Sequence, residues 1–351
     1  MKYSSQENKL IEKINQAIPD VTPGVVVRAY HMGRLVCDIN VGQTYPYYDL
    51  ASLTKVIFTQ QAIMEAFDRG QWNFDTKVQD ILPDFQHDIY IKELLTHTSG
   101  LEWWLPFYKE IQLELSWQEK RSWIYKQINN SKLNKTNKAV YSDLNFITLG
   151  FILERLHEKN IYEIWLDLKA KHYASTVLNF HIENKPQLPL EQFAPTEDCL
   201  WRKRIMRAEV HDENTWSFGG ISTHAGLFGS IEDISAFGLN VRSQIQGIAR
   251  YSVKQKTAQL FASRAIPTEV GDWALGYMMP SAGVASCGPH FSILSIGHTG
   301  FTGTSFWYDP RIDLLVLVLS NRIHYGRENQ SYIKLRPQIH SWIYESLKRT
   351  I

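Results

Sequence analysis

A serine hydroxyl and a lysine amine stand three residues apart in Ser52-Leu53-Thr54-Lys55. On a helix, side chains at that spacing share a face about 5 to 6 Å apart, so a proton can pass between them. A serine hydroxyl is inert at neutral pH until a base takes its proton, and a lysine does so when burial lowers its pKa toward neutrality. The pair predicts a nucleophile, Ser52, activated by Lys55, with backbone N–H groups at the helix start available to a developing oxyanion. The same spacing recurs in Ser331-Tyr332-Ile333-Lys334, where no partner motif follows. An isolated match of this kind is an ordinary helix surface far more often than a site, so the second pair is an internal control.

Other residue types that do chemistry are present without the spacing that would commit them. His211, Asp212, Glu213 and His224 invite a metal, yet no His-x-His, His-Glu-x-x-His or thiolate partner accompanies them, so loop ordering and no metal are expected. Cys37, Cys199 and Cys287 are odd in number and far apart, which predicts buried free thiols rather than a disulfide framework. No glycine-rich phosphate loop or dinucleotide fingerprint occurs, so no nucleotide cofactor is expected. Trp103, Trp104, Trp117 and Trp123 crowd one segment, as either an apolar acyl pocket or core.

Those residues need a scaffold, and 351 residues with 44% hydrophobic and 21% charged content suffice for a large core. Lys plus Arg total 37 against 36 Asp plus Glu, which leaves no electrostatic footprint for nucleic acid or an anionic membrane. The N-terminus has no apolar segment of signal-peptide length, and the longest aliphatic run is Leu314 to Leu319. No membrane span is expected, and the location is read as cytoplasmic, or periplasmic if a leader has been removed.

Leu10, Ile11, Ile14, Ala17 and Ile18 predict an opening amphipathic helix that stops before Pro19. Val25 to Tyr30 and Leu35 to Val41 predict a hairpin turning at His31 to Arg34, followed by a helix over residues 51–69 closed by Gly70. Ser292 to Ile296, Gly303 to Tyr308 and Leu314 to Ser320 predict consecutive antiparallel strands, and Ile333 to Leu347 a closing helix. Ser230 reads as the cap of another helix. The pattern is α+β. Residues 1–72 and 285–351 are expected to form one discontinuous sheet domain, residues 73–284 a mainly helical one, with the site in the cleft between them.

Two further motifs follow Ser52 and Lys55 in order: Tyr141-Ser142-Asp143, and Gly297-His298-Thr299-Gly300. With these, and with the segments Leu94 to Leu101, Phe193 to Glu197, Val210 to Asn214 and His224 to Ser230, most of the chain resembles the serine β-lactamase and penicillin-binding-protein superfamily. Within it the chain looks most like the esterases and peptidases related to class C β-lactamases. The resemblance implies a β-lactamase/transpeptidase-like fold, an antiparallel sheet flanked by helices plus a helical insert. It implies that Tyr141 shuttles protons with Lys55, and that the N–H of Phe301 joins that of Ser52 as oxyanion donor.

Asp143 occupies the place where true class C enzymes usually carry asparagine, and an acceptor-only carboxylate weakens amide-style recognition of a β-lactam side chain. His298-Thr299-Gly300 stands where the family often has Lys-Thr-Gly. A histidine with a pKa near 6.5 is largely neutral at pH 7 and gains charge as the pH falls to 6, so carboxylate-bearing β-lactams should be poorer substrates and anion binding pH-dependent. Gly300 allows close backbone approach. Asp143, His298, Thr299, Gly300 and Phe301 are thus the expected substrate and oxyanion contacts. The reading is a cofactor-independent serine hydrolase acting on a small-molecule carboxylic ester or amide, esters with an apolar part first. The alternatives are a D-amino-acid-specific peptidase or amidase on muropeptide-like fragments, a weak β-lactamase, and a catalytically idle relative that binds peptidoglycan or a protein.

Overall fold

The computed structural model describes residues 4–248, 253–282 and 285–348. Its strands are β1 (Gly24–His31), β2 (Arg34–Gly42), β3 (Tyr48–Asp49), β4 (Asn179–Phe180), β5 (Pro195–Cys199), β6 (Arg204–Arg207), β7 (Leu227–Gly229), β8 (Ile296–Thr299), β9 (Ser305–Asp309) and β10 (Leu314–Ser320). The principal sheet is antiparallel in the order β2-β1-β10-β9-β8, so the chain's two ends are laced together at β1 and β10, with Val25 opposite Ser320 and His31 opposite Leu314.

β10 is central and buried along its whole length, which is why it reads as an unbroken aliphatic run instead of an alternating one. Val316 and Val318, with Val25 and Val27, face a core shared with helices Ser5–Ala17 and Ser331–Leu347. Leu315, Leu317 and Leu319 face the opposite way, into a cluster that includes Ile234, Phe237 and Val241 of helix Ile231–Gln246. That helix starts in a capping box of Ser230 and Asp233, as its sequence predicts. The sheet is therefore covered on one face by the terminal helices and on the other by a helix from mid-chain. The mid-chain region also carries short strands: β3 and β4 flank β7, and β5 pairs with β6.

Two local expectations shift. Ser292 to Ser295 is a turn rather than a strand: the Ser292 N–H and hydroxyl both donate to Asp309, the Ser295 N–H returns to Ser292 O, and Ile293 is 77% exposed. The edge strand β8 begins only at Ile296, which carries Gly297, His298 and Thr299 onto it. The expected helix after residue 51 opens with a π-helical turn, Lys55–Thr59, closed by the Gln60 N–H on Lys55 O, before the α-helix Gln60–Asp68. The three cysteines are buried free thiols.

Candidate active site

Ser52 sits between a strained residue and a helix. Ala51 has φ +48°, in the left-handed region, and its N–H is held by the buried Asp49 carboxylate at 2.8 Å; the other oxygen of Asp49 accepts the His211 N–H at 2.7 Å. The loop after β8 is tied to the same turn, because Thr302 donates to Asp49 O (2.8 Å) and Thr304 to Leu50 O (3.1 Å). A Cβ at Gly300 would collide with Thr304 Oγ1 and lie 2.8 Å from Leu50 O, so only glycine lets the two loops meet this closely. Neither the Ser52 nor the Phe301 N–H donates to a described residue, and both residues line one cleft of about 650 Å³. Two free amides held on adjoining loops suit an oxyanion.

Lys55 is wholly buried beneath the cleft, and its ammonium uses three acceptors: Ser52 Oγ at 3.1 Å, Asp143 Oδ1 at 2.7 Å and His224 O at 2.9 Å. The Tyr141 hydroxyl donates to Ser52 Oγ at 2.9 Å. Ser142 caps helix Asp143–His157 and hands its own hydroxyl proton to Glu102 O, which fixes Tyr141 just before the helix and Asp143 in its first turn. Ser52, Lys55, Tyr141 and Asp143 are thus one connected network. Tyr141, Asp143 and the run His298 to Phe301 all line the cleft.

The electrostatics revise three expectations. Desolvation is the largest influence on Lys55 and pulls it toward neutrality, but the Asp143 carboxylate and Tyr141 more than offset this, so its pKa is raised and it rests as an ammonium. Asp143, expected as a substrate contact, is first of all the counter-ion of Lys55. Tyr141 is held above the usual phenol value, desolvation leading and Asp143 adding to it against the pull of Lys55. His298 does not titrate near 6.5: burial, with the Lys55 charge behind it, pushes it down to about 3, and its Nε2 has no partner. It is therefore a neutral group throughout the range in which it was expected to switch.

Several contributors were not singled out from sequence. His97, with φ +57°, accepts the Ser142 N–H at Nδ1 (3.1 Å), and its ring lies 4.8 Å from Tyr141 and 4.4 Å from Trp273. Trp273 stacks on Tyr141 at 5.9 Å. The Thr-His-Thr-Ser-Gly run around residue 97 carried a signal; Trp273 had none. The tryptophan cluster divides: Trp103, 63% exposed, stacks on Trp104 at the cleft, whereas Trp117 and Trp123 pack against the core. Ligand atoms of Asp143, Asp212 and His224 lie within 4.8 Å of one another, but Asp143 is matched by the Lys55 charge and Asp212 caps a helix and meets His224 at 3.1 Å. These contacts order the loops that carry Asp212 and His224.

The sequence model of the Beta-lactamase family matches residues 11–338. An N-acetylmuramyl-L-alanine amidase of Bacillus subtilis is 28% identical over 90% of this chain and 82% of the relative. A putative D-alanyl-D-alanine carboxypeptidase of Salmonella agona is 28% identical over 90% of this chain and 78% of its own. Among solved structures, EstCE1, described as a hydrolase with promiscuous acyltransferase activity, superposes with a TM-score of 0.69 at 16% identity, covering 95% of this chain and 98% of that one.

Proposed function

The chain belongs to the Beta-lactamase family and is a serine hydrolase, and we propose that it forms its acyl-enzyme on Ser52, with carboxylic esters and D-amino-acid amides as substrates. The observation that carries this reading is the network in which Ser52 Oγ receives hydrogen bonds from both Lys55 and Tyr141 at the floor of a cleft that also presents two free backbone amides. Because Lys55 rests as an ammonium, it becomes a base only after passing a proton to Asp143, 2.7 Å away. Ser52 Oγ then attacks the carbonyl carbon and its proton goes to Lys55. The oxyanion is held by the N–H groups of Ser52 and Phe301. Tyr141 gives its proton to the departing oxygen or nitrogen and is refilled through Lys55 from Asp143. Water, deprotonated along the same path, releases the acid and restores the starting protonation.

Within this chemistry the amidase and carboxypeptidase relatives favour muropeptide-like amides, and the exposed Trp103 stacked on the half-buried Trp104 suits an apolar acyl part on an ester. A fluorophosphonate probe is expected to label Ser52, and one preparation should be assayed on p-nitrophenyl esters, D-alanyl peptides and nitrocefin. Absence of labelling at Ser52 would remove the nucleophile from this account.

A further inference from the structure

The segment that carries Tyr141 is gripped by one buried residue, His97. The His97 carbonyl accepts the Val140 N–H at 2.9 Å and its Nδ1 accepts the Ser142 N–H at 3.1 Å, so the two bonds fall on either side of Tyr141. Asn145 Nδ2 lies 3.1 Å from the same Nδ1, and its Oδ1 accepts the Ser99 hydroxyl at 2.5 Å, which turns the amide's hydrogens toward His97. A backbone N–H can only donate, so Nδ1 carries no proton and the imidazole is the neutral tautomer with its hydrogen on Nε2. Desolvation first, then the charge of Lys55, holds its pKa well below the ordinary histidine value and keeps the ring in that state. The ring packs against Tyr141, Phe146 and Trp273, with centroids 4.8, 5.4 and 4.4 Å away.

This placement is locally unfavourable in two ways. His97 has φ +57°, where a residue with a Cβ is strained, and its Nε2–H is sealed from solvent with no acceptor among the described residues. Neither is needed to start the helix, because Ser142 caps Asp143–His157 with its own hydroxyl and the Asp143 N–H is held by Trp103 O. We propose that His97 is a positioning residue for acyl transfer, whose carbonyl and Nδ1 fix the turn at Tyr141 so that the phenol is held at Ser52 as the acid for the departing group. The Tyr141 hydroxyl is 2.9 Å from Ser52 Oγ and Asp143 Oδ1 is 2.7 Å from the Lys55 amine, and both side chains leave the turn that His97 holds. Without the Nδ1 acceptor the Ser142 N–H is buried and unpaired, the turn shifts toward another partner, and the phenol moves with it. A misplacement of about 1 Å is enough to lose on the order of a hundredfold in rate. The assignment rests on the reading of Tyr141 as the acid for the leaving group.

The test compares kcat/KM for an ethyl ester and a p-nitrophenyl ester of the same acid, which share one acyl-enzyme and differ only in the leaving group. Ethoxide must be protonated to depart, whereas p-nitrophenolate is a stable anion and needs no acid. Tyr141→Phe should therefore lower the ethyl ester at least about tenfold more than the p-nitrophenyl ester. His97→Gln, whose amide reaches the place of Nε2 and leaves that of Nδ1 empty, should show a similar excess. His97→Asn puts an oxygen where Nδ1 stands and tolerates the left-handed backbone, so it should keep the ratio within about threefold of the parent. Loss of folded protein alone lowers both esters equally and leaves the ratio where it was. Should His97→Gln not fold, His97→Gly, which removes the ring and relieves the backbone, takes its place with the same expectation. An unchanged ratio in the variant lacking the Nδ1 acceptor, or equal effects of that variant and His97→Asn, overturns the assignment. If Tyr141→Phe itself shows no excess, the acid role of Tyr141 fails and the positioning of His97 with it, so the two failures are told apart by which variant leaves the ratio flat.

Discussion

Ser52 with Lys55, and Ser331 with Lys334, have the same residue types at the same spacing, each at the start of a helix, and share nothing else. Lys55 is fully buried and spends all three protons on Ser52, Asp143 and the His224 carbonyl. Ser331 and Lys334 are exposed in the first turn of an α-helix and make no hydrogen bond to each other. Before the first serine the backbone is strained at Ala51, and after it the chain winds as a π-helical turn. The comparison teaches that spacing makes a proton transfer possible, while burial of the lysine, a carboxylate beside it, a phenol and two idle amides make it useful.

The widest gap between the pairs should open on removal of the nucleophile. Ser52→Ala is expected to lower kcat/KM for an ester by at least about a thousandfold while thermal unfolding stays within a few degrees. Retention of more than about a tenth of the activity would contradict the assignment.

Next in size is Lys55→Met, expected to cost about a hundredfold or more in kcat/KM and about 3 kcal/mol of stability, because it strands the Asp143 carboxylate against an apolar side chain. Adding Asp143→Asn should return most of the stability and none of the activity. A double variant as unstable as Lys55→Met would mean that the pair is not the source of the loss.

Asp143→Asn alone changes the charge state rather than removing the base. Asp143 is the foremost influence raising Lys55, so without it desolvation dominates and the amine is neutral at lower pH. The acid limb of the kcat/KM profile should therefore move down by about one pH unit or more, while the maximum falls because the proton acceptor is gone. An acid limb that stays in place would show that Lys55 does not limit the reaction.

The pH response at His298 should be nil. With its folded pKa near 3, the imidazole is neutral from pH 6 to 8, so the kcat/KM ratio of a carboxylate substrate over its neutral analogue should be flat across that range. A ratio that climbs several-fold on acidification would restore the titrating histidine that the bare sequence suggests.

Much of this was legible in the chain because it depends on neighbours in sequence or on alternation. The hairpin, the run Leu314 to Ser320 and the helix caps are local patterns, and Ser52, Lys55 and Tyr141 announce themselves by spacing and order. What sequence misread depends on who is across the cleft. Burial alone would lower the pKa of Lys55, and nothing local in the sequence reports its carboxylate partner 88 positions away. An unperturbed pKa is the default for His298, because nothing around Gly-His-Thr-Gly says how deeply β8 is covered. Ile293 and Leu294 imitated a strand, since alternation cannot report that Asp309 folds the preceding serine into a turn.

The second motif itself gives the sharpest test of the comparison. Ser331→Ala and Lys334→Ala remove the two groups of the second motif, so if spacing alone conferred reactivity either change should cost activity. Ser331 lies in the first turn of its helix with its N–H on Asn329 Oδ1, so its hydroxyl is not required to start the helix. Lys334 is exposed, and no described acidic residue forms an ion pair with it. Substitutions at exposed positions free of such partners change stability by less than about 0.5 kcal/mol. Both variants should therefore keep ester hydrolysis within about twofold of the parent and incorporate fluorophosphonate at an unchanged rate. Ile333, between them, does line the cleft, so a change there is a different experiment. A tenfold loss in Ser331→Ala or Lys334→Ala, with labelling displaced from Ser52, would mean that burial and the Asp143 counter-ion are not what separates a working pair from a coincidental one.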